Sequence, residues 1–272
     1  MPCYTVHGEP IMRTNIRMAC FSVVFALSIL AVDTGAVSGS PYVYQREGDG
    51  DEMTVTAEYE TAYGTRESRF FGSEGLEQGL RLRFQPWSFL NIEAWGGILV
   101  RDGRFKEEAL SFEVNWLALN QADHHLDLHL GAGYIHDYRD DHVPRLRAAL
   151  GRSFGRFDMM MGGVLEIPTS PNRDEVDIMF SLAGSYSVTD WYRQGLEFCV
   201  EDIEGLWEPE ESEGGAKFLI GPTAHFKVTG SFEIKANLAL VLAYLQNQKP
   251  PPGVNLGGEM GFMGRIVLGY SF

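Results

Sequence analysis

Charged residues of both signs recur at alternate positions along the chain. Glu58 and Glu60 come first, followed by Arg81 and Arg83. The others in this set are Glu93, Glu113, Arg145, Arg147, Glu197, Lys235 and Arg265. Opposite charges on facing strands form ion pairs, and rings of charged side chains around a pore select ions or small solutes. The pattern therefore predicts either a lumen that these residues line or constrict, or charges that only neutralise one another in a narrow interior.

Histidines stand beside carboxylates in two places, and this combination supports metal binding or acid–base chemistry. In the first place, His125, Asp127 and His129 share one face of a predicted strand. Alternate residues on a strand lie about 6.6 Å apart, so His125 and His129 need a ligand from another strand to hold one metal ion. We interpret this group as histidines in a polar interior and predict no metal site.

The second place lies near the predicted outer ends of two strands, where His136 and His142 flank Asp137, Asp140 and Asp141. Nucleophilic catalysis needs a serine or threonine beside a histidine that a polar partner orients. No serine flanks either histidine in the sequence, although a neighbouring strand could supply one. We assign no catalytic residue from the sequence and expect no cofactor.

Residues 202–213 form an acidic segment with six carboxylates around Trp207. Carboxylate oxygens are ligands for Ca²⁺, but the spacing does not match the D-x-[DN]-x-[DN]-G pattern of a calcium loop. A run of like charges is usually solvated. The segment therefore predicts an exposed acidic loop, and bridging of lipopolysaccharide phosphates through divalent ions is a second interpretation.

The elements that must position these residues are β-strands. Apolar and polar residues alternate in about twelve segments of roughly 8–12 residues, which is the pattern of strands with one apolar face. For example, Leu80, Leu82 and Phe84 alternate with Arg81 and Arg83. The predicted connections are short after the even-numbered strands and mostly long and polar after the odd-numbered ones. This alternation is typical of membrane barrels with short periplasmic turns and long outer loops.

A closed barrel in a membrane explains this pattern better than a soluble barrel. Tilted strands of 9–11 residues match the thickness of a bilayer, and aromatic residues crowd the predicted strand ends, as in lipid-interface girdles. A soluble twelve-stranded barrel would have to fill an interior that is too wide for side chains to fill. We therefore predict an all-β fold, a closed antiparallel up-and-down transmembrane β-barrel of about 12 strands, over residues 54–272.

The first forty residues predict export. A basic segment ends at Arg17, the apolar run 18–32 follows, and small residues fill 33–40, which is the order of a cleavable signal peptide. We assign residues 1–40 to an extension and signal peptide and residues 41–53 to a periplasmic segment. Cys3 and Cys20 would leave with the signal peptide, so Cys199 alone would remain and no internal disulfide is expected.

The net charge of the 272-residue chain is −15. Binding to nucleic acid through charge requires a basic face. The composition therefore argues against a nucleic-acid partner.

The chain ends in GRIVLGYSF, an alternating strand that finishes with Tyr270 and Phe272. This ending and the strand pattern over residues 54–272 resemble bacterial outer-membrane β-barrel proteins. The resemblance implies a location in the outer membrane of a Gram-negative bacterium, surrounded by outer-membrane lipid and lipopolysaccharide. It also implies that Tyr270 and Phe272 form a signal read by the barrel-assembly machinery.

In size and strand number the chain looks like the small, about twelve-stranded channels and lipid-modifying barrels of Gram-negative bacteria. The leading hypothesis is a passive narrow channel or porin-like transporter for small solutes or ions. The alternatives are a lipid-modifying enzyme, similar to a phospholipase or a lipid A deacylase, and a structural or adhesive barrel that acts through its outer loops.

Overall fold

The computed structural model describes residues 53–65, 75–101, 104–136, 142–169, 176–206, 216–243 and 260–272. The predicted signal peptide in residues 1–40 lies outside these ranges, and so does the predicted periplasmic segment 41–53 except for Met53. Most of the acidic segment 202–213 also lies outside them. The statements that follow concern the described residues.

Twelve strands form one closed antiparallel barrel, in which each strand pairs with its neighbours in sequence and β1 pairs with β12. The strands are β1 (Thr54–Gly64), β2 (Gly75–Trp87), β3 (Leu90–Arg101), β4 (Arg104–Leu119), β5 (Asp127–His136), β6 (His142–Phe154), β7 (Phe157–Glu166), β8 (Asp177–Ser187), β9 (Tyr192–Glu201), β10 (Lys217–Lys227), β11 (Phe232–Ala243) and β12 (Met260–Ser271). The predicted fold class and strand number are confirmed. No helix in the described part of the chain is long and apolar enough to cross a membrane.

The barrel closes between its first and last strands. Thr56 is the register partner of Ser271, and the backbone N–H of Phe272 donates to the carbonyl oxygen of Val55 at 2.9 Å. The connections after the even-numbered strands meet at this same end. One of them is the two-residue turn between β6 and β7, where Gly155 has a φ of 65°, a left-handed conformation that glycine adopts without steric cost.

The register sets the width of the barrel. When paired residues are followed around all twelve strands, the path returns to β1 displaced by about 14 residues. With ordinary strand spacing, this stagger corresponds to a strand tilt of about 40° and a backbone radius of about 12 Å. A lumen of this width leaves space beyond medium-sized side chains on its two walls.

The two faces of the barrel differ in chemistry. The outer face carries exposed apolar side chains, including Leu80 at 64% and Leu110 at 61% exposure. The inner face carries buried charged side chains, including Glu58 and Glu60, each 2% exposed. An exposed apolar belt closed on itself, with no unpaired backbone edge, is the arrangement that a hydrocarbon environment stabilises.

The connection between β4 and β5 differs from the prediction. The alternation suggests that His125 belongs to β5, but the chain forms a one-turn helix, α1 (Gln121–His124), before β5 begins at Asp127. The side chain of Asn120 caps this helix by accepting from the N–H of Ala122 at 3.0 Å. His125 ends it with a φ of 64°, and its side chain is exposed, so its predicted place on the inner face is wrong.

Candidate functional site in the barrel lumen

The eleven charged residues singled out in the sequence lie on the inner face of the barrel, where most of them gather into two clusters. Seven of them form the β1 cluster, centred on the first strand: Glu58, Glu60, Arg81, Arg83, Glu93, Lys235 and Arg265. Three more, together with Glu166, form the β5-spanning cluster: Glu113, Arg145, Arg147 and Glu166. Glu197 stands outside both clusters and accepts a hydrogen bond from Asn237 Nδ2 at 3.3 Å.

In the β1 cluster, Glu58 is the anion that three basic side chains share. Lys235 Nζ lies 2.9 Å from its Oε1 atom, while Arg83 Nη2 and Arg81 Nη1 lie 3.1 and 3.6 Å from its Oε2 atom. Arg265 donates to Glu60 on the same strand. Three cations therefore surround one buried carboxylate, and hydrogen bonds to a charged acceptor of this kind are stronger than neutral ones.

The β2 arginines connect this cluster to the third strand. Arg83 Nε donates to Glu93 Oε2 at 2.9 Å, and Arg81 Nε lies 3.2 Å from Glu93 Oε1. Arg81 also lies 3.5 Å from Glu60 Oε2. The cluster thus holds four cations and three carboxylates along a continuous strip of wall.

The β5-spanning cluster joins strands that are not neighbours. Arg147 on β6 donates from Nε and Nη2 to the two oxygens of Glu113 on β4, at 2.7 and 3.2 Å. Arg145 lies 3.7 Å from Glu113 Oε2 and donates to Glu166 on β7. Two parallel hydrogen bonds between a guanidinium and a carboxylate fix the geometry as well as the charge balance.

Glycines on β5 make this bridge possible. A Cβ atom at Gly131 would lie 2.3 Å from Asn115 Oδ1 and 3.2 Å from Arg147 Cβ. A Cβ atom at Gly133 would lie 3.0 Å from Glu113 Cγ and 2.6 Å from the carbonyl oxygen of Phe112. The inner face of β5 is therefore bare at the two positions over which the side chains of β4 and β6 meet.

The ion pairs follow the wall of the barrel. Arg193 on β9 lies 2.7 Å from Asp158 on β7, and Lys235 on β11 reaches Glu58 on β1. Each of these pairs, and each of the other ion pairs named here, joins neighbouring strands or strands with one strand between them. Two strands with one strand between them lie about 10 Å apart. Opposite walls lie about 24 Å apart, further than a pair of side chains can reach. The pairing therefore leaves the centre of the lumen unoccupied by these side chains.

The opposite wall carries small side chains. At mid-height, strands β7 to β10 place mostly small residues on the inner face, namely Gly162, Ser181, Ala183, Gly195, Gly221 and Thr223. Glu197 is the charged exception, and its register partners are Ala183 and Gly221. A Cβ atom at Gly195 would lie 2.8 Å from Thr223 Oγ1 and 3.0 Å from Ser185 Cβ, so this wall is tightly packed. The free space of the lumen is therefore displaced towards β7–β10 and away from the charged wall.

A small cavity, with about 30 Å³ of space for the centres of water molecules, lies between the two walls. Its charged lining consists of Arg81, Arg83, Arg193, Lys235, Arg265 and Glu58. We call it the cationic chamber, because five basic groups and one carboxylate line it. Ser185, Thr223 and His225 add polar groups on the side of β8 and β10. The cationic chamber lies in the half of the barrel nearer to the short turns.

The other half of the lumen carries buried apolar side chains beside buried charged ones, which are Glu77, Glu166, Asp177, Glu201 and Lys217. Leu99, Val143 and Leu219 are at most 1% exposed, and Met263 and Val241 are buried beside Leu219. The alternation did not predict these inward positions, because apolar residues occupy both faces of the strands there. Leu99, for example, stands between Ile98 and Val100.

The structure separates the histidines of the first group and brings those of the second group together. His129 faces the lumen and is 1% exposed, but His125 lies in the turn. His136 and His142 are register partners whose ring centroids lie 5.0 Å apart on the outer face, and the Tyr134 hydroxyl forms a hydrogen bond with His142 Nδ1. Among the described residues, no three His, Cys, Asp or Glu side chains are arranged to hold a metal ion.

The C-terminal aromatic residues lie at the end of the barrel with the short turns. Tyr270 and Phe272 contact each other edge to face with ring centroids 4.9 Å apart. Phe272 is 76% exposed. Trp87 and Phe89 stack at 5.7 Å near the same end, which gives this rim an aromatic band.

The sequence matches no protein-family model and no curated protein. Among solved structures, the KdgM porin has a TM-score of 0.56 and 8% identity, and the match covers 80% of this chain and 99% of that chain. The NanC porin has a TM-score of 0.54 and 9% identity over 79% of this chain and 98% of that chain. An outer-membrane channel from Pseudomonas putida F1 has a TM-score of 0.52 and 13% identity over 87% of this chain and 100% of that chain. The resemblance to outer-membrane β-barrels is therefore confirmed at the level of the fold.

Proposed function

We propose that the chain forms a passive, narrow channel for small solutes or ions in the outer membrane of a Gram-negative bacterium. The observation that carries this proposal is the arrangement of the lumen, in which charged side chains pair with others on the same or nearby strands along the wall, while mostly small side chains line β7–β10 at mid-height. The eleven inward charged residues would then line the path, and Arg81, Arg265 and Arg147 would border it at mid-height.

The outer surface supports a place in the membrane. The apolar belt around Leu80 and Leu110 suits lipid tails, and the aromatic band at the rim suits an interface. As finer parts of the proposal, the acidic outer segment would face lipopolysaccharide, and Phe272 would be read by the barrel-assembly machinery. Residues 1–40 would direct export and be removed.

Conductance across a planar lipid bilayer tests the proposal. The refolded protein should insert and give discrete current steps, and folding is checked by the shift of the unheated band in gel electrophoresis. A correctly folded barrel that gives no steps above background would refute the channel.

Two neighbouring substitutions provide a matched pair in the same measurement. Thr223→Trp adds an indole to the small-residue wall, whereas Ala224→Trp adds the same ring to the outer face of the same strand. In a lumen about 24 Å across between backbones, the inward indole should lower the conductance by about half. The outward indole should leave it unchanged, and equal effects of the two substitutions would contradict the assignment of the path.

A further inference from the structure

We infer that His136 and His142 form a binding site for one divalent transition-metal ion, such as Cu²⁺ or Zn²⁺, on the outer face of the barrel. The inference is independent of the proposed channel, because neither side chain faces the lumen. It rests on three observations. Two imidazole rings lie side by side, a hydroxyl group holds one of them, and the paired strands beneath fix their spacing.

The two histidines come together through the pairing of β5 and β6. His136 is the last residue of β5, His142 is the first residue of β6, and the two are register partners. Both lie on the outer face, as does Tyr134 two residues earlier on β5. This end of the barrel carries the connections after the odd-numbered strands, so the pair lies at the predicted outer rim, where the membrane interface tolerates charge.

The distance between the rings suits two ligands of one metal ion. The ring centroids of His136 and His142 lie 5.0 Å apart, and the ring planes are inclined by 33°. A histidine nitrogen lies about 2.0–2.1 Å from a bound Zn²⁺, so two imidazoles on one tetrahedral ion place their centroids about 5 Å apart. The pair can therefore share an ion without a change in the register of the strands.

Tyr134 orients the ring of His142. Its hydroxyl group forms a hydrogen bond with Nδ1 of His142, and the two rings stack with their centroids 5.8 Å apart. When the Nδ1–H group donates to the hydroxyl oxygen, Nε2 carries the lone pair that a metal ion needs. A histidine ligand usually has such a partner on its second nitrogen, and the partner fixes the tautomer and the orientation of the ring.

The backbone of His142 is held from both sides. On one side it pairs with β5. On the other side, the backbone N–H and the hydroxyl group of Thr169 donate to the carbonyl oxygen of His142 at 3.1 and 2.9 Å. Ligands on paired strands are placed more precisely than ligands on a loop, so this arrangement favours a preformed site.

The two imidazoles select the class of metal ion. Imidazole nitrogen suits Cu²⁺, Ni²⁺ and Zn²⁺, whereas Mg²⁺ and Ca²⁺ prefer oxygen ligands. Because no group of three His, Cys, Asp or Glu side chains in the described residues is arranged for a metal, water would complete the coordination. The affinity for Cu²⁺ should exceed that for Ni²⁺ and Zn²⁺.

Calorimetric titration with Cu²⁺ tests the inference on the refolded protein in detergent, prepared without a histidine tag. The tightest site should bind one Cu²⁺ ion per chain, and a large excess of Mg²⁺ should not displace it. Electron paramagnetic resonance of the bound Cu²⁺ should show coupling to two imidazole nitrogens. Absence of binding, or displacement of the copper by Mg²⁺, would refute the site.

Replacement of single histidines by glutamine locates the copper. His136→Gln and His142→Gln should each weaken Cu²⁺ binding at least about tenfold, since loss of a partner behind a ligand already costs that much, and each should remove the two-nitrogen signal. His125→Gln is the matched control, because this exposed histidine lies in the turn at the other end of the barrel, and it should change neither. A loss with His125→Gln but not with His142→Gln would place the copper in that turn and refute the site.

The role of Tyr134 has its own comparison. Tyr134→Phe keeps the ring and removes the hydroxyl group, so it should weaken Cu²⁺ binding about tenfold but retain the coupling to two nitrogens. Tyr59→Phe on the outer face of β1 should leave both measurements unchanged. Equal affinities of these two variants would refute the positioning of His142 by Tyr134.

A measurement on the unsubstituted protein does not depend on the folding of any variant. Diethyl pyrocarbonate modifies the imidazole of histidine, and mass spectrometry identifies each modified residue. Zn²⁺ should protect His136 and His142 from modification, while the exposed His124 and His125 should react as they do without Zn²⁺. Equal modification of His136 and His142 with and without Zn²⁺ would refute the site.

Discussion

Replacement of Gly133 by alanine tests whether the bridge between β4 and β6 depends on a bare β5. Gly133 is the register partner of Glu113, the carboxylate that Arg147 holds with two hydrogen bonds. The added methyl group would lie 2.6 Å from the carbonyl oxygen of Phe112 and 3.1 Å from Cα of Glu113. Both of these are backbone atoms of a paired strand, and they have little freedom to move.

The expected effect is the difference of two terms. Overpacking of a tight site costs roughly 1–3 kcal/mol, and replacing glycine by alanine within a strand recovers roughly 0.5–1 kcal/mol. We therefore expect Gly133→Ala to lower the free energy of unfolding by about 1 kcal/mol, within a range of about 0–2.5 kcal/mol. Because the methyl group also displaces Glu113 Cγ, the paired hydrogen bonds from Arg147 should be lost.

Gly151→Ala is the matched control. Gly151 faces the lumen on the neighbouring strand, and a Cβ atom there would meet Met160 Cε at 3.5 Å and Asp127 Cβ at 3.8 Å, which are ordinary contacts. Its free energy of unfolding should stay the same or rise by up to about 1 kcal/mol.

Denaturant unfolding of both variants in lipid vesicles, followed by tryptophan fluorescence, measures the difference. A Gly133→Ala barrel as stable as the Gly151→Ala barrel would refute the steric argument for a bare β5.

Three further predictions concern the outer face, the charge balance and the C-terminus. Leu80→Arg places a charge in the middle of the apolar belt and should destabilise the barrel in vesicles by about 2–4 kcal/mol. Val228→Arg in a turn should cost about 0–1 kcal/mol, and equal costs for the two substitutions would contradict the assignment of Leu80 to the lipid-facing surface. Glu113→Gln removes the carboxylate that neutralises Arg147 and should shift the reversal potential in a salt gradient towards anions. The ratio of anion to cation permeability should be roughly twofold higher than in the unmodified protein. An unchanged reversal potential would show that this pair lies off the conducting path. Phe272→Ala should lower the amount of folded barrel recovered from cell outer membranes. Because this side chain is 76% exposed, the unfolding free energy of the refolded variant should stay within about 1 kcal/mol of the unmodified protein. Equal recovery of the two proteins from membranes would refute the assembly signal.

Alternation in the sequence was enough to predict the strands and the face of each charged residue. The side-chain period of a strand is two, so Leu80 and Arg81 must point to opposite faces once a strand is assumed. Where both faces are apolar the same reasoning fails, and Leu99 and Val143 show this. His125 fails for another reason, since the one-turn helix before β5 breaks the period.

The partner of each charge could not be predicted. Lys235 and Glu58 are 177 residues apart in sequence, and Arg147 and Glu113 are 34 apart. Both pairs reach over an intervening strand, so they depend on the register and tilt of the barrel as well as on strand order. The role of the β5 glycines in making room for the Arg147–Glu113 pair could not be predicted either, because glycine in a strand has several explanations.

The sequence by itself determined that this chain forms strands with an apolar and a charged face, because the period of two is a local property of extended backbone. It also determined closure into a barrel, because an apolar outer face in lipid permits no free edge. Only the tertiary structure decided which charges meet and where the lumen has space. It also decided that the Trp95 ring lies over Gly79 on the neighbouring strand. These features depend on the stagger of twelve strands around the barrel, and that stagger is fixed by the sum of all the pairings rather than by any one segment.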